Sequence, residues 1–327
     1  MKNTPLLFFL FDLLLMVSCH KKQVPAVNYA AEMRAFVGEL SGYAKSTVPG
    51  FLIVPQNGVA LVAADLEDVS TPDISYLAAV DGCGQEDLFF GYDKEDKATK
   101  TEDAGPIINF LDVFKENGKQ VLVTDYCSSH DNMDESYMNN ASKNYISFAA
   151  PDRNLTIIPD YPSFPYNENP DDITALSVAK NFLYLIDPEK SYANKEVFIA
   201  ALAETNYDVL IIDLFFGEEQ LSAEDVAQLK TKSNGGERLV LCYMSIGEAE
   251  DYRYYWKKEW GHHKTEPSWL YKENKHWRGN YKVFYWQQEW KDIIFGSPGA
   301  YLDRIMGSGF SGVYLDIIDA YEYYLDL

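Results

Sequence analysis

Eight apolar runs of this sequence close on carboxylates or amides: Gln56/Asn57, Asp81 and Glu86, Asp125, Asp187, Asp213, Glu248, Glu289, and Asp316/Asp319. A single acid after such a run is usually a helix cap or a solvated loop residue. Many acids gathered on one rim are another matter. Carboxylates, amides and aromatic rings together suit polyhydroxylated substrates and paired-carboxylate acid–base chemistry.

Other chemistries find little support. The glycines of VDGCGQ (80–85) lack the GxGxxG dinucleotide pattern, no GxSxG elbow occurs, and His262-His263 lies in the polar segment GHHKTEP, as solvated residues would. Cys83, Cys127 and Cys242 are odd in number, widely spaced and without metal-ligand spacing, so they read as small buried apolar residues. No cofactor is expected. The 24 Tyr, 18 Phe and 6 Trp include many rings with a polar handle, suited to stacking on sugars as well as to core packing. A formal charge of −22 opposes nucleic acid or an anionic membrane surface as partner. It matches a cationic polymer, or serves solubility alone.

The acids need a scaffold. FLIVPQNG (51–58), LAAVDGCGQEDLFF (77–90), QVLVTDYC (120–127), NFLYLID (181–187), VLIIDLFF (209–216), RLVLCYMSIG (238–247), VFYWQQEW (283–290) and GVYLDIID (312–319) read as strands, with YISFAAP (145–151) as a weaker ninth. Most are continuously apolar, as strands of a parallel sheet covered on both faces should be. Helical faces lie between them: Met33, Phe36, Val37, Leu40, Tyr43 and Ala44; then Ile107, Phe110, Leu111 and Phe114, ended by Gly118. Ser222 to Asp225 spells a capping box, and Tyr301, Leu302, Ile305 and Met306 precede Gly307 and Gly309. The polar segments 91–105 and 129–144 read as rim loops. Eight strands with intervening helices predict an α/β fold of the (β/α)8 TIM-barrel kind, with a doubly wound sheet as the alternative. In such barrels the chemistry gathers at the C-terminal ends of the strands.

The N-terminus, MKNTPLLFFLFDLLLMVSCHKK, has Lys2, an apolar run from Leu6 to Val17, and Ser18-Cys19. That layout predicts a signal peptide over 1–18, lipidation of Cys19 with a tether over 19–27, and a single domain over 28–327. The expected location is the cell envelope, exported and membrane-anchored through the lipid alone. Plain secretion is the alternative.

Three long stretches, SIGEAEDYRYYW (245–256), PSWLYKENKHWRGNYKVFYWQQEW (267–290) and SPGAYLDRIMGSGFSGVYLDIIDAYEYY (297–324), resemble the barrel proteins of glycoside hydrolase family 114. SYANKEVFIAALAETNYDVLIIDLFF (191–216) is similar to the start of that barrel. The family's activity is endo-α-1,4-polygalactosaminidase. Its elements after the GVYLDIID strand resemble segments at the front of this chain: AAEMRAFVGELSGYAKSTVPGFLIVPQNG (30–58), AAVDGCGQEDLFFGY (78–92) and GKQVLVTDYC (118–127). The resemblance therefore implies a circular permutant entering at helix five and ending after strand five, with 51–58 beside 312–319.

It further implies Asp316 as nucleophile and Glu86 as acid/base. Asp213, Glu248, Arg253, Tyr314, Asp319, Asn57 and Asp125 are then expected as substrate binders or supporting residues, with Arg253 beside Glu248 equally readable as a salt bridge. The expected partner is a poly- or oligosaccharide, α-linked and amino-sugar-like. A non-catalytic carbohydrate-binding lipoprotein is the alternative.

Overall fold

A computed structural model describes residues 22–262 and 265–327. The segment 1–18, Cys19 and His263 lie outside the described residues. Eight strands are parallel: β1 (Leu52–Pro55), β2 (Gly82–Glu86), β3 (Gln120–Tyr126), β4 (Ile146–Ala150), β5 (Phe182–Leu185), β6 (Val209–Ile212), β7 (Leu239–Ser245) and β8 (Gly312–Asp316). They form two sheets, β1-β8-β7-β6-β5 and β2-β3-β4. β4 lies beside β5, and Gln56, directly after β1, bridges in parallel to Gly84 of β2. The protein is thus a mixed α/β structure whose parallel strands follow one another in space as they do in sequence.

Nine helices occur among the described residues. Helix α1 (Tyr29–Thr47) starts at Asn28, whose side chain accepts from Ala31 N, and buries the expected face of Met33, Phe36, Val37, Leu40 and Ala44. It packs against α2 (Ile74–Ala79) and α9 (Ala320–Leu325). α3 (Thr101–Glu116) carries the expected Leu111 and Phe114 face, and α6 (Ala223–Leu229) begins in the expected Ser222/Asp225 capping box. α8 (Tyr301–Gly307) is the helix expected from Tyr301, Leu302, Ile305 and Met306, whereas α5 (Lys195–Ala203) and α7 (Gln288–Ile294) have no counterpart among the expected helices.

Three segments differ from expectation, beyond the element ends where 77–79 close α2 instead of opening a strand and 101–105 open α3 instead of a loop. Ile146–Ala150, the weaker ninth candidate, is a fully buried parallel strand paired in register with Leu122–Tyr126. VFYWQQEW is not one. Its first residue ends an antiparallel strand, Asn280–Val283, which pairs with Leu270–Glu273 and Glu248–Glu250, and α7 begins at Gln288. Its rings are apolar because they fill the space between this small sheet and α1: Tyr285 OH donates to Tyr29 O (2.8 Å) and Trp290 Nε1 to Ile246 O (2.9 Å). The third is 129–144, which holds helix α4 (His130–Ser142). Its buried face is Met133, Ser136, Tyr137 and Asn140, half polar, so no apolar period announces it.

Inside the strand array, Tyr314 of β8 crosses toward β2. Its ring meets Tyr184 edge-on at 5.3 Å. A Cβ on Gly84 would stand 2.0 Å from the Tyr314 hydroxyl and 2.4 Å from Cζ, so only glycine leaves room there. Gly84→Ala is therefore expected to destabilise the protein by about 3 kcal/mol or more, as overpacking of a tight core does. The double variant Gly84→Ala/Tyr314→Leu should recover part of the loss in urea unfolding.

Candidate active site

The C-terminal ends of the strands open into a cavity of about 560 Å³ whose lining includes Gln56, Asn57, Glu86, Asp213, Asp316 and Asp319. Each acid arrives by a turn at a strand end. After β1, Asn57 and Gly58 take positive φ, and a Cβ on Gly58 would press on Ile318 and Asp319. After β8, Ile317 takes φ 57°, and Asp319 caps α9. These two turns bring the front and the end of the chain to one rim.

Asp316 and Glu86 end β8 and β2, the two neighbours of β1. Their backbones are therefore roughly 10 Å apart, two strand spacings. Glu86 is richly supplied with donors. Its Oε2 accepts from Gln56 Nε2 (2.5 Å) and Asn57 Nδ2 (3.0 Å), its Oε1 accepts from the Tyr126 hydroxyl, and its backbone N–H donates to Asn57 Oδ1 (3.0 Å). Arg153 backs this arrangement, lying 4.1 Å over the Tyr126 ring while gripping Asp87 in a fork (2.7 and 3.0 Å).

Asp316 has one side-chain donor, Tyr243 OH at 2.7 Å. Burial, then the Glu86 charge, push its carboxyl up to about 8. Asp319 is pushed up to about 7 by burial, with Glu322 and Glu86 adding to it. The site therefore keeps protons on carboxyls at neutral pH. Perturbation of this kind marks functional clefts.

The remaining sequence-predicted residues divide. Asp213 lines the cavity, but both its oxygens are taken by Arg253 (2.7 and 2.6 Å), whose Nε also binds Glu250 (2.6 Å). Arg253 thus pairs with Asp213 and Glu250, not with Glu248. Glu248 is almost fully buried and takes Lys282 (3.1 Å) and Asn274 (2.9 Å) instead, away from the cavity wall. Tyr314 lies wholly in the core beneath Asp316.

Asp125 is not a substrate-facing residue. It is completely buried, accepting from Phe89 N, Phe90 N, Ser136 Oγ (2.6 Å) and Asn140 Nδ2 (3.0 Å). Its carboxylate is what permits the polar face of α4, and it holds the turn after β2 in place. Asp81 braces the other end of β2 against Lys45 (3.0 Å), and Glu289, on α7, accepts from Ser268 Oγ (3.0 Å), so neither joins the cleft.

Sequence reasoning missed several lining residues. Tyr243 stands in register with Tyr314, as Ser245 does with Asp316, so strand parity could have found it. Arg153 sits in a polar link and Trp277 and Arg278 at a hairpin tip, positions with no periodicity to mark them. Among the described residues, no cluster of three or more His, Cys, Asp or Glu is arranged to hold a metal ion.

A parallel-strand α/β protein with buried carboxylates facing one cleft is the class that fold and site define. Within it, residues 172–326, a little under half of the chain, match the family model of glycoside-hydrolase family GH114. The match takes in β5 to β8. β1 to β4, which bring Asn57 and Glu86, lie before it. Uncharacterized protein MJ1477 of Methanocaldococcus jannaschii is 39% identical over 161 residues, 48% of this chain and 43% of that protein. Uncharacterized proteins of Thermotoga maritima and Deinococcus radiodurans are 37% and 35% identical over 123 and 122 residues, covering 38% and 37% of this chain and 36% of each relative. The chain spans less than half the length of these relatives.

Two expectations follow. Arg253→Met strands Asp213 and Glu250 as buried charges and should cost about 3–5 kcal/mol in denaturant unfolding, with Asp213→Asn/Glu250→Gln restoring part. For Asp316, the folded carboxyl titrates near 8 against an ordinary 3.8, so the native state binds the extra proton between those values. Stability attributable to this group is present below the lower value and is lost as pH rises toward the upper one. Asp316→Asn should flatten that decline when thermal unfolding is followed from pH 5 to pH 8.5.

Proposed function

We propose that this protein is a glycoside hydrolase acting on an α-linked, amino-sugar polysaccharide, and that Asp316 and Glu86 are its catalytic pair. The observation that carries the reading is the meeting of these two carboxylates across β1, in a cleft large enough for sugar rings, on a chain matching family GH114 over 172–326. The eight parallel strands are read as a (β/α)8 barrel. The pairing of Leu52–Pro55 with Gly312–Asp316 supports a circularly permuted order in which α1 does the work of the helix after the last strand. The lipid anchor at Cys19 and export belong to the same reading. So does a single domain over 28–327.

The hydrogen bonds favour a division of labour opposite to the one the family resemblance implies. Three donors converge on Glu86, whereas Asp316 has one and is held up to about 8. We therefore assign the pair's proton to Asp316, which delivers it to the glycosidic oxygen, and leave Glu86 as the anionic partner facing the anomeric carbon. Paired carboxylates complete this chemistry without a cofactor.

The test is reducing-end release from de-N-acetylated α-1,4-galactosamine polymer. Wild type should be active, with Asp316→Asn and Glu86→Gln at least ~100-fold slower. Activity should fall above about pH 8 as Asp316 loses its proton. With azide, Glu86→Ala but not Asp316→Ala should again cleave the polymer, read by mass spectrometry as fragments ending in a glycosyl azide; such fragments from Asp316→Ala instead would restore the family's assignment. Binding without turnover across a broad glycan panel would favour a carbohydrate-binding protein.

A further inference from the structure

Lys22 marks where the chain joins the body of the protein, and it does so at the rim of the cleft. Its Nζ donates to Pro267 O (2.6 Å) and Leu270 O (2.5 Å), pairs with Glu266 (3.8 Å) and stands 5.9 Å from the centre of the Phe284 ring. Pro267 and Leu270 lead into the small antiparallel sheet. One edge of that sheet, Glu248–Glu250, follows on the C-terminal end of β7, and the hairpin between its other two strands carries Trp277 and Arg278 into the lining of the larger cavity. Helix α1 gives the same polarity independently. At its start, Tyr29 meets the rings of Trp286 and Tyr324 (5.4 Å each), the latter on α9 just after Asp319. In its last turn, Lys45 reaches Asp81 (3.0 Å), at the opposite end of β2 from Glu86. α1 therefore runs antiparallel to the strands, and the chain before it leaves from the end of the molecule where the cleft opens.

Three peptide steps separate Cys19 from Lys22, at most about 11 Å of extended chain. A protein whose first element were a strand would put this segment at the far end instead. The hairpin beside Lys22 has the side chains that a lipid headgroup layer takes up. Trp277 is 54% exposed and Tyr252, also at the cleft mouth, 61%. Lys272, Lys275 and Arg278 are exposed on the same hairpin. Between Leu270 and Lys282 four cations stand against one acid, Glu273, in a chain whose formal charge is −22. Anionic lipid repels the acidic remainder, but screening confines that repulsion to about 8 Å at physiological ionic strength, so the charges nearest the headgroups decide. Exposed Trp and Tyr beside Lys and Arg are the residues that settle at a membrane–water interface.

We propose that the cleft rim is a membrane-docking face: the bilayer that holds the lipid on Cys19 receives the 270–282 hairpin in its headgroup layer, and the cleft opens toward that surface. This rests on the lipid-anchor reading of Cys19. It gives the position of α1 at the front of the chain a consequence, because the anchor and the carboxylates then share one end of the molecule. Material lying along the membrane reaches the cleft directly, whereas material free in solution has to pass between rim and bilayer.

The test uses the full-length lipidated protein in phosphatidylethanolamine–phosphatidylglycerol vesicles whose headgroups carry a spin-label quencher. Cys83, Cys127 and Cys242 are buried, so a thiol-reactive fluorophore can be directed to an introduced cysteine. On Lys275→Cys, at the hairpin, the fluorophore should lose most of its emission. On Glu116→Cys, in the last turn of α3 at the far end of the molecule, it should keep its emission. Adding Trp277→Ser and Arg278→Glu to Lys275→Cys should recover part of the lost emission with the lipid still in place. Any other pattern in the two single-cysteine proteins, with acyl chains found on the Cys19 peptide by mass spectrometry, would overturn the docking face and spare the anchor. A Cys19 peptide without acyl chains would overturn both, and polymer cleavage by the same preparation reports on the glycosidase reading separately.

Discussion

Two carboxylates held one strand apart in a desolvated cleft set the terms for everything around them. Removing water penalises the charge on Asp316, and Glu86 penalises it further, so this carboxyl keeps a proton that an exposed aspartate would have lost. The surroundings of the two differ. Glu86 receives the amides of Gln56 and Asn57 and the hydroxyl of Tyr126; Asp316 receives only Tyr243. The same tension appears at Asp319, between Glu86 and Glu322.

Holding that arrangement requires supports that never touch the cleft's centre. Arg153 fixes Tyr126 from behind and ties down the turn after β2 through Asp87. Asp125 secures that turn from below, and its burial is tolerable because four donors, two from backbone and two from α4, satisfy it. Gly84 lets the Tyr314 ring lie across β2, linking the strand that carries Glu86 to the strand that carries Asp316. The Asp213–Arg253–Glu250 chain does comparable work on the other wall, joining the end of β6 to the small antiparallel sheet.

The cleft's contributors come from distant parts of the chain. Asn57 and Glu86 belong to its first third, Asp213 to its middle, Asp316 and Asp319 to its end, and the GH114 match covers only the latter two groups. A site assembled across such separations depends on the parallel pairing of Leu52–Pro55 with Gly312–Asp316, which joins the front of the chain to its end beside the rim.

Most of the strands were legible from their continuous apolar runs, because a strand buried on both faces needs nothing else. The cap at Ser222 was legible from its own local pattern. That acids cluster at strand ends is likewise a property of the sequence. What tertiary structure decided was which of those acids face the cleft. Asp125, Asp81 and Glu289 look like Glu86 in sequence, and only their neighbours in space tell a carboxylate turned to structural donors from one that lines the cleft. Helix α4 escaped notice because its inner face is paid for by Asp125 rather than by apolar area. VFYWQQEW passed for a strand because buried rings carry no mark of whether a sheet or a helix buries them. Burial and hydrogen-bond satisfaction are properties of pairs of distant residues, and a chain read one residue after another does not contain them.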